Sequence, residues 1–181
     1  MKNRKRNRMF GFDYSQDAIY FVTSCCKNRI NYFGEIVNNQ MQLNEYGEIC
    51  HEQIEWLANQ YQYIEIHNFV VMPNHVHILF EINRDFVATN DVGTGRDLSL
   101  REIKIKSISS LIGALKTTIS KKIHELGNNE FAWQRSFHDH IVRNNKRYEY
   151  IFNYITDNPN RWNDDMLNAE TNSNFLSNSV S

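Results

Sequence analysis

Val70-Val71-Met72-Pro73-Asn74-His75-Val76-His77-Ile78-Leu79-Phe80 sets two extended runs on either side of a Pro-Asn turn. A strand alternates its side chains between two faces, so His75 and His77 share one face while Val76, Ile78 and Phe80 share the other. One face is fit for a core and the other for a metal ion. Pro73 and Asn74 are turn residues for backbone reasons, which makes Tyr61 to Met72 and His75 to Ile82 the arms of a hairpin.

Upstream, Ala18 to Cys26 is rich in β-branched and aromatic residues at strand length. Between Asn44 and Gln60, Ile49, Ile54, Trp56 and Leu57 fall near helical spacing, with acidic residues in the first turns where the helix dipole favours them. Downstream, Ile108, Leu111, Ile112, Leu115, Ile119, Ile123 and Leu126 recur at three- and four-residue steps, and Gly127 stands where the helix over Ser107 to Leu126 should stop. Phe137 to Val142 is a short extended segment. A last helix, Lys146 to Asp157, carries Tyr148, Ile151, Phe152 and Ile155 on one face and ends at Asn158-Pro159. This order predicts an α+β fold, a ferredoxin-like antiparallel sheet with helices packed on one face. Residues 1–162 form one domain, interrupted by a mobile loop at about 84–99 and followed by a polar, flexible tail over 163–181.

The 181 residues, 41% of them hydrophobic, suffice for one core. No run approaches the eighteen apolar residues of a membrane helix, and the basic start Lys2 to Arg8 leads into no long apolar segment, so a cytoplasmic protein without a membrane partner is expected. Cys25, Cys26 and Cys50 fit neither a disulfide framework nor a zinc spacing, and are expected as thiols. Lys and Arg number 20 against 21 Asp and Glu. That balance by itself argues against a nucleic-acid partner, yet the cations cluster: Arg4, Lys5 and Arg6 at the N-terminus, Lys116 and Lys121 in the central helix, Arg143 before the last helix and Arg147 in its first turn.

His-x-His alone is a weak sign of a metal site. A second pair, His138 and His140, flanks Asp139 in another extended segment, so a histidine-only site for a water-using nuclease stays open. On the last helix Tyr154 and Asn158 are four residues apart and share a face with Arg147 and Tyr150. Periodicity leaves Tyr148 and Tyr150 open as alternatives to Tyr154.

Taken together, these motifs resemble the HUH single-tyrosine transposases, the insertion-sequence 200-like family, and particularly its REP-associated tyrosine transposase branch. Tyr20-Phe-Val-Thr23 with Arg29 and Phe33-Gly34 resembles that family's first strand and its sequel. Val71 to Leu79 resembles its His-hydrophobic-His strand, Trp133-Gln134-Arg135 to Arg143 the segment before its catalytic helix, and Tyr154-Ile155 with Asn158-Pro159 its tyrosine motif.

The resemblance implies that Tyr154 is the nucleophile, that His75 and His77 ligate Mg²⁺ or Mn²⁺ with Asn158 as third ligand, and that His140 supports the site. Many relatives carry glutamine where Asn158 stands. The implied activity is metal-assisted cleavage and rejoining of single-stranded DNA bearing a hairpin or palindrome, through a 5′-phosphotyrosine, in DNA transposition. Arg4, Lys5, Arg6, Lys116, Lys121 and Arg143 would contact DNA, and a homodimer could share the final helix. The other reading, besides the nuclease, is a catalytically silent DNA-hairpin-binding protein.

Overall fold

The computed structural model of the protein describes residues 17–86 and 105–168. In chain order these are β1 (Ala18–Cys25), a small hairpin of β2 (Gly34–Val37) and β3 (Gln40–Leu43), α1 (Glu45–Gln60), β4 (Ile64–Met72), β5 (His75–Ile82), α2 (Ile108–Glu125), β6 (His138–Val142), α3 (Asn145–Asp157) and a 3-10 segment, Pro159–Asp164. The helix ends obey local chemistry. Asn44 accepts from the Tyr46 and Gly47 amides, Ser107 from Ser110 and Asn144 from Arg147, so each helix begins at a capped turn. Gly127, at φ +94°, closes α2 as its position in the sequence suggested.

The main sheet runs β4-β5-β1-β6 with every neighbouring pair antiparallel. This is the ferredoxin-like order, with β5 and β1 inside and β4 and β6 at the edges. Tyr20, Val22, Val76, Ile78 and Phe80 face α1 and α2 in one core, whereas Leu79 meets Val142, Ile151 and Ile155 in a second, beside Phe21 and Val70. The expectation of helices on one face therefore holds for α1 and α2, and α3 covers the opposite face. The reason is that β5 is buried on both sides: its histidine-bearing face needs a cover, and the Ile151-Ile155 stripe supplies one. Asn68 locks that cover in place, its amide donating to the Phe152 carbonyl at 3.0 Å and the Thr156 hydroxyl at 2.9 Å.

The β2–β3 hairpin went unread in the sequence. Its turn is Asn38-Asn39, both at positive φ (51° and 61°), the conformation that two-residue hairpins demand. The described chain runs past 162. Trp162 and Asn168 are buried, and side chains from Arg29 and Asn74 hold the backbone of Met166 and Leu167, so the packed chain continues to Asn168. Within the expected loop, Arg84 pairs with Asp17 at 2.8 Å, while 87–99 lie outside the described residues, as do Arg4, Lys5, Arg6 and 169–181. The three cysteines are buried thiols, and among the described residues no helix is long and apolar enough to cross a membrane.

Ile155 is fully buried at the seat of α3. Replacing it with alanine is expected to lower unfolding free energy by about 2–5 kcal/mol in urea titrations. A loss below about 1 kcal/mol would mean that α3 is not seated as described.

Candidate active site

Period two in β5 delivers His75 and His77 to the α3 side of the sheet, both essentially without solvent exposure (0% and 2%). Their Nε2 atoms lie 3.1 Å apart. Two bare lone pairs at that distance repel, so either a proton or a cation belongs between them.

The surrounding hydrogen bonds fix one ring and leave the other able to serve both cases. Asn74 donates its amide N–H groups to the carbonyls of Arg29 and Leu167, at 3.1 and 3.0 Å, which orients its Oδ1 as an acceptor for His75 Nδ1 at 2.9 Å. His75 is thereby held with its proton on Nδ1 and a lone pair on Nε2. His77 Nδ1 meets the Thr23 hydroxyl at 2.8 Å, a group able to donate or accept. His77 can therefore present either an N–H toward His75 or a second lone pair, with no side chain displaced. Burial disfavours the imidazolium in both rings: His75 titrates well below its ordinary range, with His77 and Arg29 adding to the effect, and His77 is lowered to about 3. Neutral imidazoles are the form that binds metal ions.

Helix α3 brings Tyr154 to the same point. Its hydroxyl lies 3.3 Å from His77 Nε2, and Phe21 packs on both rings, stacked on His77 and edge-on to Tyr154. Burial, foremost, and then the Asp165 carboxylate hold the phenol above its usual range, while a hydrogen bond from the Asn158 side chain pulls it down. Asn158 also carries an amide oxygen, Oδ1. That oxygen is buried, in a residue only 1% exposed, with no hydrogen-bond partner. A buried acceptor so placed is expensive unless something electropositive meets it.

A fourth group, Asp165, was missed by the sequence reading because it lies in the stretch assigned to a polar tail. Leu167 N–H donates to its Oδ1 at 2.7 Å, and its Oδ2 faces His75 Nε2 at 4.0 Å. Arg29 fixes this turn by donating to the Met166 carbonyl at 2.6 Å. Ligand atoms of His75, His77 and Asp165 all lie within 4.8 Å of one another. Donors at about 2.1 Å from one ion cannot be farther than about 4.2 Å apart, and the 3.1 and 4.0 Å separations respect that limit. The donor set, two neutral imidazoles with carboxylate and amide oxygens, fits a divalent ion.

Other expected residues stand apart. Strand β1 separates the two histidine pairs: Thr23 pairs with both His77 and His138, and Phe21 with both Leu79 and His140. His138 and His140 therefore share the face, but among the described residues it is Asp165 and neither of them that joins His75 and His77 at ligand distance. His140 is exposed, its pKa lowered by partial burial and by Arg147 and Arg143. Lys116 and Lys121 belong to α2, across the sheet from Tyr154. Lys116 is bound to the Gln134 carbonyl at 2.6 Å, and Lys121 lies 3.8 Å from Glu125.

No family model matches the chain. An uncharacterized protein of Haemophilus influenzae is 31% identical over 171 residues, which cover 91% of this chain and 93% of that one. Among solved structures, a REP-associated tyrosine transposase bound to a REP hairpin is similar in fold, with TM-score 0.53 and 21% identity over 85% of this chain and 73% of the other.

The lowered histidine pKa values have a stability consequence. Below about pH 6.5 the unfolded chain takes up protons that the folded rings refuse, so stability present above that pH is lost on acidification, for His77 down to about 3. Each ring removes up to about 1.4 kcal/mol per pH unit. The urea midpoint in a chelator should fall between pH 6.5 and 5, and His77→Gln should flatten that fall; equal slopes for the two proteins would contradict the assignment.

Proposed function

We propose, for a chain that belongs to one family with the Haemophilus influenzae protein and has the fold of the REP-associated tyrosine transposase, that it cleaves and rejoins hairpin-bearing single-stranded DNA through Tyr154. The observation that carries this reading is the meeting of the Tyr154 hydroxyl with the His75–His77 pair inside one chain.

Tyr154 Oη attacks the scissile phosphorus, the new Oη–P bond replaces the P–O3′ bond, the phenol gives up its proton and the departing 3′-oxygen gains one. The product is a 5′-phosphotyrosine and a free 3′-hydroxyl. Because the link conserves the phosphodiester bond energy, another 3′-hydroxyl reverses the step, and rejoining needs no nucleotide. A divalent ion such as Mg²⁺ or Mn²⁺, held by His75, His77 and an oxygen of Asn158 or Asp165, would polarise the phosphate and offset the charge that a phenolate must approach. The Asn158 side chain, which draws the phenol's pKa down, favours the ionised nucleophile that burial opposes. Phe21 keeps the ring edge-on and excludes water from one side.

For DNA contact, Arg143 and Arg147 stand near His140 on the Tyr154 side of the sheet. Tyr150 is 60% exposed with the Arg147 guanidinium over its ring, a platform on which an unpaired base can stack. A water-using nuclease built on all four histidines is disfavoured because His138 and His140 do not join the group that His75, His77 and Asp165 form at ligand distance.

With Mg²⁺ or Mn²⁺, a hairpin-bearing single-stranded oligonucleotide should yield an adduct that survives SDS gels and disappears in Tyr154→Phe and His75→Ala. Cleavage without an adduct, or an adduct retained in Tyr154→Phe, would overturn the proposal. The two oxygen donors are separable: whichever of Asn158→Ala and Asp165→Asn removes a ligand should weaken Mn²⁺ binding about 10–100-fold by calorimetry. Unchanged binding in both would reduce the ion's protein ligands to the two histidines.

A further inference from the structure

A second group of ligand-type side chains sits on the same sheet face, toward the other end of α3. Glu65 on the edge strand β4 is directly opposite Glu81 on β5. Like charges in that position oppose pairing unless something positive stands between them. The register then slips between Ile66 and Asn68, making His67 the extra residue of a β-bulge. A bulge turns two consecutive side chains toward one face, so Asn68 can hold α3 while His67 joins the two glutamates.

His67 Nε2 lies 3.4 Å from Glu81 Oε2, and one ligand atom from each of Glu65, His67 and Glu81 falls within 4.8 Å of the others. Glu81 is itself aimed, its Oε1 accepting from the Asn83 amide at 3.2 Å. The His67 side chain is only 12% exposed, and its Nδ1 is buried with no hydrogen-bond partner. Among the described residues the ring is therefore oriented only by Glu81 and by Tyr148, which meets it edge-on at 5.5 Å.

We propose that Glu65, His67 and Glu81 bind a second divalent transition-metal ion of the Mn²⁺ or Zn²⁺ kind. One imidazole and two carboxylates are a common donor set for such ions, and the ion cancels the repulsion across the β4–β5 pair. Glu81 is four residues along β5 from His77, about 13 Å. That is too far for the two ions to share one phosphate. The site instead braces the start of α3 through Tyr148, on the helix that carries Tyr154. The inference does not depend on the proposed DNA chemistry.

The test is ion counting on the full chain, stripped with chelator and titrated with Mn²⁺ while free ion is read by electron paramagnetic resonance. The wild type should bind two ions, Glu65→Gln/Glu81→Gln one, and His75→Ala/His77→Ala one. Mn²⁺ should still raise the melting temperature of the histidine variant, and that rise should vanish when the glutamine changes are added. The proposal fails if the Glu65→Gln/Glu81→Gln protein binds as many ions as wild type, the result expected if no ion stands between the carboxylates. If the histidine variant does not fold, the drop of one ion between wild type and the glutamine variant decides the matter. Failure of the His75–His77 site gives a different pattern: a single ion in wild type, kept in the histidine variant and lost in the glutamine one.

Discussion

The structure depends on one strand being buried on both faces. Because β5 alternates, placing Val76, Ile78 and Phe80 in a core commits His75, His77 and Leu79 to the opposite side. Two imidazoles cannot be left there without partners, since a buried polar group lacking a hydrogen bond costs a few kcal/mol. The chain answers with Asn74 and Thr23 for the outer nitrogens and with α3 as a cover. The Nε2 atoms, the phenol of Tyr154 and the carboxylate of Asp165 thus form a polar cluster beside the apolar one of Leu79, Val142, Ile151 and Ile155.

Much of this could be read from the residues. The hairpin around Pro73-Asn74 and the sorting of His75 and His77 from Val76, Ile78 and Phe80 follow from period two. Asn44 and Gly127 bound their helices as their chemistry requires. The position of the final helix follows from the same period: a polar strand face opposite the core needs a second covering layer, and the Ile151-Ile155 stripe fits it. The β2–β3 hairpin was written in Asn38-Asn39, a pair suited to a two-residue turn. Asp165 was not legible, since its role rests on Arg29 and Asn74 gripping carbonyls more than ninety positions downstream, and backbone acceptors carry no sequence signature. The bulge at His67 is hidden for a similar reason, as it is defined by register with a partner strand.

The four groups of the site arrive from distant parts of the chain: β5, α3, the 3-10 turn after it, and β1 through Thr23 and Phe21. Asn158 bears on two of them, because its side chain draws the phenol's pKa down while its amide oxygen is buried without a partner. A phenol raised by burial is a poor nucleophile by itself. Phe21 stacks on the His77 ring and the Trp162 ring lies 6.1 Å from that of His75, so aromatic groups flank the pair.

The most direct test of this account is to locate the covalent bond. After reaction with a hairpin-bearing single-stranded oligonucleotide and Mn²⁺, nuclease trimming, proteolysis and tandem mass spectrometry should find the residual 5′-nucleotide on Tyr154 alone. Attachment to Tyr148 or Tyr150, or cleaved DNA with no modified tyrosine, would contradict it.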